Sequence, residues 1–282
     1  KKREVLEKGV VRKRHPVEKK LRKFFRLCLH DYARMLEGGK AMVNMLKADL
    51  KGWFVMYPHE YEDNWNFQEA LIKAHVNYDV PVLFDYGVWP SRNKFRSNQI
   101  AIYPGGIGLS YRRLTAHSHN ESRSVYRGLM MKLGGLLLRD AQLNLTEDES
   151  QLRLQQFTDD AFAVETKLAS LLADVDFRWR WKSQSTTLME MTQNFTQISW
   201  VTIFAQIFAR AGVSANTEVT LRSVAYFSAL NQMLLEEGEN RDRVMNNYVT
   251  WSVLRTYARY LSWEFRHAYY EHIESLTGHS EF

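Results

Sequence analysis

The sequence predicts a mainly α-helical, multi-helix lobe that carries one small β-hairpin and ends on a long spine helix. Three observations predict it. Apolar side chains recur at steps of three and four along most of the chain, the spacing of one helix face. Helix start and stop residues bracket those runs. Two neighbouring stretches alone, Val80 to Trp89 and Gln99 to Tyr103, are β-rich, and the polar, turn-prone segment Pro90 to Asn98 joins them as a hairpin.

In chain order, Val17 to Leu36 reads as a helix with Leu21, Phe24, Phe25, Cys28 and Tyr32 on one side and Lys19, Lys20, Arg22, Lys23 and Arg26 on the other. Gly38 and Gly39 end it. A short helix follows over Lys40 to Leu50, closed by Gly52, and then an aromatic loop from Trp53 to Trp65. Asn66 with Glu69 three residues on has the form of an N-cap, opening a helix whose apolar face holds Phe67, Ala70, Leu71, Ala74 and Tyr78. After the hairpin, Gly105, Gly106 and Gly108 make a turn; no parallel βαβ unit accompanies them, so they do not form a dinucleotide cradle.

From Ser122 onward the reading is helical. Val125, Leu129, Leu133 and Leu136 line one helix, and Thr146 with Glu149 boxes the start of the next, striped by Leu154, Phe157, Ala161, Val164, Leu168 and Leu171. Thr187 with Glu190 starts another, and Ser199 caps a short apolar helix. Glu218 to Val224 reads as a short extended piece, and Tyr226 to Glu237 as helix. The spine then runs from Asn240 to Gly278 with Val244, Tyr248, Trp251, Leu254, Ala258, Leu261, Phe265, Ala268 and Leu276 in one stripe. As a single helix it would be about 55 Å long. One domain is expected over 1–282, with a hairpin-bearing part at about 1–115 and a helical part at about 116–282.

Composition narrows the function. Residues 1–28 hold twelve Lys or Arg against three Glu, so the net +6 of the chain belongs to that segment and the remainder is net negative. No aromatic stacking pattern accompanies the charge; a solvated face or an acidic partner is the better reading, and nucleic acid is not an expected partner. No apolar run is long enough to span a membrane, and no signal segment opens the chain, which begins on Lys1 and reads as a piece of something longer.

No catalytic set can be assembled. A zinc peptidase needs two His one helical turn apart with a Glu beside them. His59-Glu60 is the nearest approach, but Asp63 stands where the second His is needed. His267 and His272 are five apart, and His117 and His119 sit in a polar turn. No metal or cofactor is therefore expected in this chain. Cys28, the one cysteine, excludes an internal disulfide framework. It reads as a buried small hydrophobe or as half of a bridge to a partner outside these residues. Sequons place candidate glycosylation sites at Asn120, Asn144 and Asn194, each at a predicted helix boundary or polar turn.

Five pieces stand in the order found in one family. They are Phe25-Arg26-Leu27-Cys28, then Leu50-Lys51-Gly52-Trp53-Phe54-Val55 followed by Trp65-Asn66-Phe67, then Gln99 to Tyr103 with Gly108-Leu109. Asn194-Phe195 through Ser199-Trp200 comes next, and Asn247-Tyr248-Val249-Thr250-Trp251 running to Leu276-Thr277-Gly278 is last. Together they resemble the N-terminal, non-catalytic domain of the neprilysin-like zinc metallopeptidases over nearly the whole chain. The resemblance implies a helical lobe that caps a thermolysin-like zinc domain and encloses the chamber where peptides are cleaved. Zinc, its ligands and the catalytic Glu would then lie in a C-terminal domain outside this chain, which would be its partner along with peptide substrates. It also implies a secreted or extracellular ectodomain, membrane-bound only through an anchor outside these residues, and a bridge from Cys28 to a cysteine beyond them. One departure matters: Ser110-Tyr111-Arg112-Arg113-Leu114 replaces the family's Pro-Ser-Arg-Asp-Tyr-Tyr element. An inactive relative that binds peptides or a partner is therefore the alternative, and a helical scaffold with a basic N-terminal segment is the second.

Overall fold

In a computed structural model that describes residues 16–29, 35–56, 65–91, 97–174, 183–236 and 238–278, helices surround one four-stranded sheet. Helix α1 spans Pro16–Leu29, α2 Lys40–Ala48 and α3 Phe67–Tyr78. Strands β1 (Phe84–Pro90) and β2 (Asn98–Pro104) precede the short α4 (Tyr111–Thr115) and the long α5 (Asn120–Asp140) and α6 (Glu147–Asp174). Next come β3 (Ser183–Thr187), α7 (Leu188–Asn194), α8 (Trp200–Ile207), β4 (Glu218–Arg222) and α9 (Val224–Glu236). Helices α10 (Arg241–Tyr257) and α11 (Trp263–Thr277) complete the fold. The mainly helical class is as predicted.

Local chemistry sets several of these starts. The Asn66 side chain accepts from the Glu69 amide at 3.0 Å, satisfying an orphan donor of α3. Thr146 with Glu149, and Thr187 with Glu190, form reciprocal capping boxes. Ser199 and Asn240 stand at helix starts as expected but make no side-chain cap bond.

The predicted hairpin is present, paired from Phe84↔Pro104 to Pro90↔Asn98, and it is part of a larger sheet. Strand β4 adds parallel to β2, with Ile100 opposite Val219 and Ile102 opposite Leu221. Strand β3 closes the edge antiparallel to β4. Its sequence, Ser-Gln-Ser-Thr-Thr, buries Thr186 alone, so no apolar alternation announces it; ladder bonds to β4 hold it. Val80 to Leu83, expected as strand, is instead a buried loop entering β1.

The single spine is corrected to two helices. Tyr257 is followed by one 3₁₀ turn, Ala258–Tyr260, and Leu261 and Ser262 are extended (ψ −161° and 170°) before α11 begins. An apolar stripe cannot reveal this break, because both halves keep an apolar face toward the body of the fold. The signal is Ser262 with Glu264 two residues on, a helix start inside the stripe. Gly278 ends α11 in the left-handed conformation, as expected. On α5 the buried face is Tyr126, Leu129, Met130, Leu133 and Leu137, so Val125 and Leu136 flank it.

Helix α1 covers part of the predicted Val17–Leu36 helix; residues 30–34 and the Cys28 side chain lie outside the described residues. Its apolar side faces solvent, with Leu21 and Phe24 exposed and Phe25 half-buried. The rest of the hydrophobic core is continuous, joining the sheet to α2, α3, α5, α6 and α8 to α11.

Candidate functional site

Helix α10 is buried on every side: each residue from Val244 to Leu254 is inside, polar ones included. A helix buried all round must satisfy its polar side chains internally, and it does so by gripping the loops around it. Asn246 accepts from the Phe54 amide at 3.0 Å and donates to the Gly52 carbonyl at 3.0 Å. Asn247 accepts from Trp53 Nε1 at 3.1 Å and donates to Asp160 on α6 at 2.8 Å. The Gly52-Trp53-Phe54 turn is thereby fixed to the helix.

On the next residue, the Tyr248 hydroxyl donates to the Gly106 carbonyl at 2.8 Å, and the Leu83 amide donates to that hydroxyl at 3.4 Å. Tyr226 on α9 donates to the Leu83 carbonyl at 2.6 Å. Leu83 has φ 64°, a conformation costly for a leucine, and the two tyrosines hold it there. Gly106 has φ 94°, and a Cβ on it would lie 2.3 Å from the Tyr248 hydroxyl, so glycine is required twice over.

Another turn on, Trp251 Nε1 donates to Glu165 Oε1 at 2.9 Å. Glu165, fully buried on α6, also accepts from the Tyr126 hydroxyl (2.9 and 3.0 Å) and from the Gly108 amide (2.9 Å). Burial pushes the Glu165 carboxyl up; the nearby Arg255 charge and these three donors oppose it. Burial, and then the Glu165 charge, push the Tyr126 phenol well up. The carboxylate is enclosed by the core and taken up by these three donors. It anchors the meeting of α5, α6, α10 and the Gly108 turn.

Between that anchor and α11 lies a cavity of about 330 Å³. Its lining includes Arg255, Arg259, Tyr126, Tyr269 and His272.

The sites singled out in the sequence are scattered. Asn120 opens α5, Asn144 lies between α5 and α6, Asn194 ends α7, and all three are exposed. His59, Glu60 and Asp63 lie outside the described residues. His117 and His119 sit on a 3₁₀ turn, His267 stacks on Trp263, and His272 is buried. Among the described residues no group of three His, Cys, Asp or Glu could hold a metal ion. Sequence reading missed Glu165, Asn246 and Asn247. Glu165 had a signal: it sits four residues after Ala161 and three before Leu168, a charge inside an apolar stripe.

The N-terminal model of peptidase family M13 matches residues 1–281. The chain belongs to that family. It is 25% identical to an endothelin-converting enzyme homolog of Locusta migratoria, over 97% of this chain and 37% of that protein. To neprilysin-3 of Drosophila melanogaster it is 24% identical, over 98% of this chain and 35% of that protein. The M13 chain thus spans little more than a third of the length of the curated relatives it matches.

Solved structures share its fold. The zinc metalloprotease ZMP1 of Mycobacterium tuberculosis in its open state superposes with TM-score 0.73 at 15% identity, over 99% of this chain and 40% of that one. PEPO from Lactobacillus rhamnosis gives 0.65 at 13%, over 95% and 39%. Identities this low speak for the fold alone. Three of the segments on which the sequence resemblance rests, Gly52-Trp53, Gly108 and Asn247 to Trp251, are those that interlock at α10.

Proposed function

We propose that this M13 chain is the cap lobe of a zinc metalloendopeptidase, enclosing the chamber in which a C-terminal zinc domain cleaves peptides. The observation that carries the reading is the match of the family's N-terminal model to nearly the whole chain, within relatives almost three times its length. A rigid helical lobe clamped around α10 suits the task, since a chamber wall must keep its shape to exclude large substrates. The water-activating metal and the Glu base would come from the other domain. The family resemblance alone suggests that Cys28 bridges to a segment outside this chain, whose sequence holds no second cysteine. Asn120, Asn144 and Asn194 would carry glycans in a secreted or extracellular protein; their exposure supports this. The test is a substrate-length series with the full-length protein. Short peptides should be cut and folded proteins should not; equal cleavage of both would overturn the cap reading.

A second reading is an inactive relative that binds peptides. Its support is the segment Ser110 to Leu114, where the family element is replaced. Here Leu114 is buried and Arg113 donates to the Leu276 carbonyl at 3.0 Å, so these residues serve packing. A full-length protein that binds peptides without cutting them would favour it.

A further inference from the structure

The cavity beside Glu165 has a chemistry that the cap role does not use. It lies between the turn at Ile107 and Gly108, the C-terminal end of α10 and one face of α11. Arg255 and Arg259, one turn apart, both line it, and among the described residues no acidic side chain does. Arg255 lies close over Gly108: a Cβ there would meet its Nη1 at 2.4 Å. Its Nε is buried and has no hydrogen-bond partner. Glu165 attracts it, but that carboxylate is already occupied by Tyr126, Trp251 and Gly108. His272, 6% exposed, lines the same cavity, and its Nδ1 also lacks a partner.

A buried Nε–H without an acceptor is costly, and an oxyanion meeting Arg in fork geometry is the group that relieves it, with the rest of the half-buried Arg255 and the exposed Arg259 open to the same cavity. Around the two arginines the wall is apolar and aromatic: Ile107, Tyr126, Leu129, Tyr269 and Leu276. A volume of about 330 Å³ lies at the small end of ligand pockets. We propose that this cavity binds a small carboxylate with an apolar or aromatic body, its carboxylate held by Arg255 and Arg259. Two sources share that chemistry: a free organic acid and the C-terminal residue of a peptide.

The experiment is calorimetric titration of the 282-residue chain with 3-phenylpropionate, its neutral amide and N-acetylphenylalanine. The acid should bind at least about tenfold more tightly than the amide, the value of one charge-assisted hydrogen bond. Arg259→Gln, an exposed change, should weaken the acid several-fold and leave the amide unaffected; Arg255→Gln should abolish the preference. Tighter binding of N-acetylphenylalanine assigns the site to peptide ends, and tighter binding of 3-phenylpropionate to free acids; either supports the site. Equal affinity for acid and amide in the unaltered chain, or no binding of any of the three at about 10 mM, overturns it. That comparison needs no variant, so a misfolded Arg255→Gln leaves the test intact.

Discussion

Replacing Glu165 with Ala probes the anchor under α10 most sharply. The change leaves the Tyr126 hydroxyl and the Gly108 amide without their acceptor, leaves Trp251 Nε1 only the Tyr126 hydroxyl oxygen at 3.0 Å, and takes a nearby opposite charge from Arg255. Each orphaned buried donor costs about 1–3 kcal/mol, and Arg255 loses the attraction of a nearby carboxylate as well. These costs overlap, because the donors share one acceptor, so the expected loss is about 4–6 kcal/mol. That is a large part of the roughly 5–15 kcal/mol that holds a domain folded. Glu165→Gln keeps the shape and one acceptor oxygen but turns an NH₂ toward a donor, and should lose about 2–3 kcal/mol. Urea unfolding followed by tryptophan fluorescence reads the difference, since Trp53, Trp200 and Trp251 are all buried. With a slope of about 3 kcal/mol per molar urea, the Ala midpoint should fall by about 1.3–2 M. An Ala variant within about 1 kcal/mol of the unaltered chain would refute the anchor, as would a Gln variant as damaged as the Ala one.

Other outcomes follow from the same contacts. Gly106→Ala should destabilise by about 3 kcal/mol or more, because the new Cβ meets the Tyr248 hydroxyl and the Leu83 amide at a positive φ; thermal unfolding measures it. Asn247→Ala should cost about 2–3 kcal/mol through the orphaned Trp53 indole, and a smaller loss at Asn246 than at Asn247 would not contradict it. Burial pushes His75 down to about 4, partly opposed by its bond to the Val82 carbonyl. The unfolded chain therefore takes up this proton first, and stability falls as pH drops from about 6.5 to about 4, by roughly 3 kcal/mol, then levels off. Urea midpoints of His75→Gln and the unaltered chain at pH 7 and pH 4.5 should show a smaller acid loss in the variant. Thr187→Ala should remove about 1 kcal/mol with the capping box, read by the same unfolding curve.

What the sequence disclosed depended on whether a residue acts locally or through distant partners. The capping residues at Asn66, Thr146 and Thr187 were legible because their partners lie three residues away. The β1–β2 hairpin was legible for the same reason. Strand β3 was not, since it is held in the sheet by a ladder to the distant β4 and its own side chains are mostly exposed. The break at Leu261 and Ser262 was hidden by an apolar stripe that passes through it unchanged. Asn246 and Asn247 look like surface residues in the sequence, and only their partners some 190 residues earlier explain their burial. The cavity drew on residues from α5, α10, α11 and the Gly108 turn, which no local spacing brings together.

The central claim, that this M13 chain is one lobe of a zinc peptidase, is tested most directly by the intact mass and zinc content of the native protein from which it comes. The account predicts a mass more than twice that of these 282 residues and about one zinc per molecule, bound outside this chain. A protein of that size without zinc would contradict the peptidase and leave the inactive relative, and a native mass equal to this chain alone would contradict the cap lobe itself.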